Sequence, residues 1–261
     1  MGLSCQPAFH YREDVLLPVL LGLLGAIVGS FLATLVVRWT SDRSIVRGRS
    51  GCDGCGKPLG PGELVPLVSA AVLRGRCGAC GAGIDAVHWR VELACLVVGA
   101  SAGAVADWPE AVGGCVFGWL LVTLAALDLR AWWLPDRLTG ALAVGGLTGG
   151  LAGLDPPLVD RAIGGLAGFA LLWLVAFAYR RVRAREGMGG GDPKLFGAIG
   201  LWLGWAMLPA VLLVACLIGL SVVLFRRLTG RAVARTDALP LGSLLAAAAY
   251  PAWLLMVALH P

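Results

Sequence analysis

The sequence predicts an all-α integral membrane protein of about eight transmembrane helices, with a small cytosolic subdomain between the first two. Three observations carry that prediction. Apolar residues make up 58% of the 261 residues and charged residues only 14%, against about 25% charged in an ordinary soluble domain. Glycine is abundant, at 38 residues, as suits membrane helices whose backbones approach closely. Lys and Arg fall in alternate loops, with Arg12 and Arg161 the two exceptions.

A span needs about 20 mostly apolar residues to cross roughly 30 Å of hydrocarbon. In chain order the candidates are 15–37, 91–106, 111–127, 138–154, 162–179, 194–207, 208–225 and 239–259. The sixth and seventh run together, since 201–225 is almost continuously apolar, so seven spans remain open. The first run is read as a retained span. It is too long for the apolar core of a signal peptide, and no basic segment precedes it. Cytoplasmic loops are enriched in Lys and Arg. That places loops 38–90, 128–137, 180–194 and 226–235 in the cytosol and both termini outside. The net charge of +5 is then a topology signal with a contribution from anionic lipid, and no nucleic-acid partner is needed to explain it. The chain divides into a first span with its external tail (1–37), a cytosolic loop (38–90) and a membrane core (91–261).

The loop carries Cys52-Asp53-Gly54-Cys55 and Cys77-Gly78-Ala79-Cys80. Two CxxC pairs at this separation suit a tetrahedral zinc site formed by Cys52, Cys55, Cys77 and Cys80. Gly56 and Gly81 follow the pairs, where a knuckle turns tightly. Two disulfides would be the alternative, but a cytosolic loop does not favour them. Four thiolates leave no open position, so the zinc is structural. Cys95, Cys115 and Cys216 lie in apolar spans and read as small buried hydrophobes; Cys5 gets no role.

Acidic residues next to membrane spans invite a functional hypothesis, because burying them is costly. Asp128 ends the third span in Ala126-Leu127-Asp128-Leu129-Arg130. Asp192 follows Gly189-Gly190-Gly191 and precedes Pro193 and an apolar helix. Asp before Pro is also a strong helix start, so capping competes with catalysis there. The glycines tilt the balance: as a side-chain-free strand, Gly189, Gly190 and Gly191 would let a substrate backbone approach. Both aspartates fall at the cytosolic border. Two carboxylates sharing a proton can activate water for peptide hydrolysis. The helix dipole favours charge on Asp192, at a helix start, and leaves the shared proton on Asp128, at a helix end. Asp136 and Glu186 are the acids nearest the site that could attract a basic segment.

These residues resemble the type 4 prepilin peptidases, a family of GxGD intramembrane aspartic proteases. Gly189-Gly190-Gly191-Asp192-Pro193-Lys194-Leu195 is similar to the family's GxGD region. Asp128, seven residues before Pro135-Asp136-Arg137-Leu138-Thr139, resembles its other catalytic aspartate. Gly29-Ser30-Phe31-Leu32, the paired CxxC motifs and Leu239-Pro240-Leu241-Gly242 match further signatures in order. The resemblance implies an inner-membrane enzyme that cleaves the basic leader of type IV prepilin or pseudopilin precursors at the cytosolic face. Many members then methylate the new N-terminus with S-adenosylmethionine. The chain departs from the family pattern mostly in the loop. Ala33 stands for Asn, Pro61–Pro66 lacks the usual Asn and aromatics, His88-Trp89-Arg90 replaces Arg-Tyr-Pro, and Arg130 replaces an acid. These changes leave the aspartate pair intact and bear on the methylation. The alternatives are a polytopic transporter with a structural zinc loop, a non-catalytic assembly protein, and an intramembrane protease of the presenilin type. The last is not expected to carry the CxxC loop.

Overall fold

The computed structural model describes residues 10–41, 51, 52, 54–185, 187–230 and 238–259. Cys5 and Glu186 lie outside them. Among the described residues the chain is helical, apart from two isolated bridges in the loop. The helices are α1 (His10–Trp39), α2 (Val68–Val72), α3 (Val87–Val105), α4 (Glu110–Ala131), α5 (Asp136–Leu151), α6 (Leu158–Arg183), α7 (Gly191–Leu228) and α8 (Leu241–Leu259). Five are long and apolar enough to cross a membrane: α1, from Val15 onward, α4, α6, α7 and α8. The 16 residues of α5 reach only about 24 Å. Two compact units divide the chain inside α4, at Cys115 and Val116.

In the first unit α1 and α3 pack antiparallel. Gly103 lies on Leu17 and Pro18, Gly99 on Leu21, Gly25 on Cys95, and Gly29 on Glu92. The contacts descend α1 as they climb α3. A side chain at Gly25 or Gly99 would collide with the backbone opposite, so this pair packs backbone to backbone, as small residues allow in membranes.

The second unit resolves the ambiguous sixth and seventh spans. The single helical element α7 turns back at Gly204, whose φ of 70° and ψ of 177° belong to a region that essentially only glycine occupies. Gly168 of α6 lies against both Phe196 and Leu208, and Gly164 against both Gly200 and Trp205. Twelve residues of straight helix would separate Phe196 from Leu208 by about 18 Å, so the two arms run antiparallel beside α6. The apolar run is therefore two antiparallel arms, with the reversal three residues before the predicted boundary. Both arms are apolar, which is why composition alone could not mark the turn.

Arg161, an exception to the charge rule, is not a loop charge. It is buried in the first turn of α6. Its Nε donates to Pro156 O (2.8 Å), Nη1 to Gly146 O (2.9 Å) and Leu201 O (3.1 Å), and Nη2 to Leu154 O (3.2 Å) and Asp155 O (2.7 Å). All five N–H groups of the guanidinium are used. It ties the end of α5, the connection to α6 and the reversal in α7 together. Arg161→Leu is expected to cost about 3–5 kcal/mol, read as a lower thermal midpoint in detergent. Arg161→Lys should recover little, since an ammonium has no planar fork. A midpoint unchanged in both variants would refute the clamp.

Candidate active site and metal centre

The four cysteines of the paired motifs converge. Their sulfurs all lie within 4.8 Å of one another, with Cys52 Sγ and Cys80 Sγ 3.7 Å apart. A tetrahedron with Zn–S of about 2.3 Å requires S···S of about 3.8 Å, so the donor set fits zinc. The two halves fold alike. Cys52 N donates to Lys57 O and Gly56 N to Cys52 O; Cys77 N donates to Ala82 O and Gly81 N to Cys77 O. Gly54 N and Ala79 N point at Cys52 Sγ and Cys77 Sγ. Gly56 and Gly81 turn with φ of 71° and 72°, as the knuckle reading expects. Amides of Cys80 and Ala79, with the neighbouring sulfurs, pull the Cys77 thiol down to about 6. The Ala82 amide also pulls on Cys80, but thiols facing it and burial outweigh that and push it up to about 11.

Two acids brace this loop. Glu63 accepts from Gly60 N (2.9 Å) and pairs with Lys57 (3.5 Å); the Gly60 bond, helped by Lys57, holds its carboxyl below the usual range. Glu92 is buried on α3 and accepts from Leu67 N (2.8 Å). Leu67 has φ of 60°, so Glu92 fastens a strained turn of the loop to the first unit's helix pair.

In the second unit Asp128 and Asp192 are both buried and meet at the amino end of α8. Asp128 Oδ2 accepts from Ser243 N at 2.7 Å. Asp192 lies close to the Gly242 backbone and within electrostatic reach of Asp128. It accepts from Gly189 N through Oδ2, at 3.1 Å. Leu134 fills the space between: a Cβ at Gly191 would lie 2.8 Å from Leu134 Cβ, and one at Gly242 would lie 2.8 Å from Leu134 Cδ1. The loop after α4 turns at Trp132, φ 53°, and delivers Leu134 to that position.

Several sequence expectations change here. Gly190 is the residue before α7 and already αR, and Gly191 is the first helical residue. Of Gly189, Gly190 and Gly191, only Gly189 lies outside helical geometry, so the triplet winds up as a helix start. Asp192 is not the cap; it sits one residue inside α7, where its side chain reaches back to Gly189. The dipole contrast between the aspartates also fails, because Asp128 faces a helix start too, that of α8. Asp136 pairs with Lys194 at 2.7 Å, which offsets the charge expected to attract a basic segment. Cys95 and Cys115 are buried as expected, whereas Cys216 is exposed on α7. From the Asp136–Lys194 pair a groove of about 580 Å³ runs between α5 and α6 over α7, past Thr139, Ala143, Gly165 and Phe169.

Comparison with known proteins joins the two centres. A family model described as the type IV leader peptidase family matches residues 115–224, a stretch that contains both aspartates. One described as the bacterial peptidase A24 N-terminal domain matches residues 23–105, which contains all four clustered cysteines. A prepilin leader peptidase/N-methyltransferase of Aeromonas salmonicida is 42% identical over 173 residues, covering 66% of this chain and 59% of that one. The chain thus spans about three fifths of that relative's length. Proteins of the same description from Burkholderia pseudomallei (35% identical, covering 86% of this chain and 81% of that one) and Neisseria gonorrhoeae (32%; 80% and 82%) align more fully. No solved structure matches.

Proposed function

Because the chain belongs to the type IV leader peptidase family, we propose that it is an intramembrane aspartic endopeptidase that removes the basic leader of type IV prepilins or pseudopilins. The observation that carries this reading is the meeting of two buried carboxylates, Asp128 and Asp192, at one helix end. In the reaction one carboxylate takes a proton from water as its oxygen attacks the scissile carbonyl. The other, protonated, donates to that carbonyl oxygen. Collapse of the tetrahedral intermediate breaks the C–N bond, and the departing amine takes up a proton. Gly189 and the residues just before it remain the backbone available to an extended substrate. The groove beside α5 and α6 offers an apolar seat for the helix that follows the cleavage point.

The division of labour follows the chain: α1 and α3 anchor, 38–90 is the zinc-binding cytosolic subdomain, and the unit from residue 116 onward carries the peptidase core. Cys52, Cys55, Cys77 and Cys80 would hold zinc, which would supply folding energy to the subdomain rather than chemistry. The protein is a multi-pass membrane protein, with its loop and both aspartates at the cytosolic face and its termini in the periplasm. N-methylation of the new amino terminus, with S-adenosylmethionine as donor, is the second activity the relatives' names suggest.

Co-expression with a type IV prepilin, in a host lacking its own peptidase, tests the reading. Mass spectrometry of the pilin should show the leader removed just before the apolar helix, with one added methyl where the second activity is retained. A precursor left at full length beside well-folded protein would sink the proposal.

A further inference from the structure

We propose that the amino end of α8 is a third component of the peptidase site, in which Gly242 and Ser243 act as positioning residues for Asp128. The inference rests on the peptidase reading above and extends it to a segment beyond the stretch that the family model matches. Asp128 lies in the last turn of α4, on an element that gives its carboxylate no donor. Among the described residues the hydrogen bond that holds it comes from Ser243 N, 115 positions away in sequence. Ser243 is the third residue of α8, and its N–H has no intrahelical acceptor; the first such bond, Leu244 N to Pro240 O, begins one residue later. The amide is therefore free to serve Asp128 at no loss to the helix. The Ser243 hydroxyl is turned away from the carboxylate and donates to Pro240 O at 2.7 Å, so the contact with Asp128 is made by the amide alone.

Gly242 supplies the second half of the device. A Cβ there would lie 3.0 Å from Asp128 Oδ2 and 3.2 Å from its Cγ. The carboxylate thus rests directly on the backbone of α8. Two consecutive residues of one helix start, Gly242 by its bare backbone and Ser243 by its amide, hold the Asp128 carboxylate. The position of the Asp128 carboxylate is thereby fixed at α8, not by its own helix alone.

The amide can be removed without shortening the helix. Proline is tolerated in a first helical turn, where its missing N–H has no intrahelical partner. Purified Ser243→Pro, assayed on a type IV prepilin in detergent, should lose about 10–100-fold in kcat, the range for a charge-assisted hydrogen bond, with KM near wild type. Ser243→Ala keeps the amide and should recover the rate to within about threefold. Gly242→Ala should lose kcat similarly. Its methyl also meets Leu134 Cδ1 at 2.8 Å, so Leu134→Ala is added to it. If the conflict that matters is with Asp128, the double variant stays slow; recovery to the wild-type rate would overturn the proposal, as would a wild-type rate in Ser243→Pro. Thermal midpoints measured alongside separate misfolding from misplacement. A second readout needs no turnover: in protein labelled with ¹⁵N-serine, the Ser243 amide proton should resonate downfield and move upfield in Asp128→Ala. A resonance that does not move refutes the contact. Wild-type protein that leaves the prepilin whole while showing the shift would refute the peptidase reading and leave the positioning contact standing.

Discussion

Asp128→Asn and Asp192→Asn are each expected to lower prepilin cleavage by about 10³–10⁴-fold, toward the upper end of what positioned acid–base groups contribute. The pair works as a unit, because one group must hold a proton while the other lacks it. Removing either removes the function of both, and the double variant should be no slower than the single ones. Asn is the informative replacement. Its side-chain oxygen can still accept from Ser243 N in place of Asp128, or from Gly189 N in place of Asp192, so packing around Leu134 is retained. Thermal midpoint and metal content should therefore stay near wild type while turnover disappears. Alanine would leave the buried amide of Ser243, or the amide of Gly189, without that acceptor and blur loss of chemistry with loss of structure. The measurement is leader release per chain per second, followed by mass spectrometry. Either variant retaining a tenth or more of the wild-type rate would remove that residue from the reaction.

Much of this site could be read from the sequence because its parts obey local rules. The CxxC pairs with trailing glycines specify their own turns, and Gly56 and Gly81 adopt the positive φ that the motif demands. Asp128 and Asp192 stand out because each lies at the end of an apolar helix beside a Lys- or Arg-bearing loop. What could not be read depends on contacts between distant segments. Gly204 is one of many glycines in apolar sequence, and only its neighbours on α6 show that α7 doubles back there. Arg161 looked like a stray loop charge; its role needs five carbonyls from α5, α7 and the intervening connection. Ser243 carries no catalytic signature, since the group that matters is its backbone amide, which every residue but proline possesses. The glycines before Asp192 misled for a related reason. Absence of a side chain is required equally by an extended strand and by a helix start pressed against Leu134, and only the fold distinguishes them.

Removing the metal should separate the two halves of the protein. The loop has little core of its own: Leu64, Val65, Val68, Val72 and Ile84 are exposed, and among its described apolar side chains Cys77 is the one that is buried. A segment this poor in burial gains its stability from the ion, so metal-binding free energy is largely its folding free energy. Purified protein should contain about one zinc per chain, as a closed four-thiolate site requires. Chelation, or Cys77→Ser, should unfold the loop and open Lys57, Arg74 and Arg76 to trypsin. Acidification should act in the same direction, because protons compete with the metal for sulfur. The aspartates, by contrast, belong to the unit of residues 116–260, whose clamp at Arg161 and anchor at Ser243 contain no part of the loop. Cleavage of prepilin should therefore survive loss of zinc at a substantial fraction of its rate, while any methylation should fall with the subdomain. A metal-free protein whose loop stays protected from trypsin would show that the cysteines bind zinc incidentally or not at all. Equal loss of cleavage and methylation would show instead that the loop is part of the hydrolytic site, and the two activities could no longer be assigned to separate units.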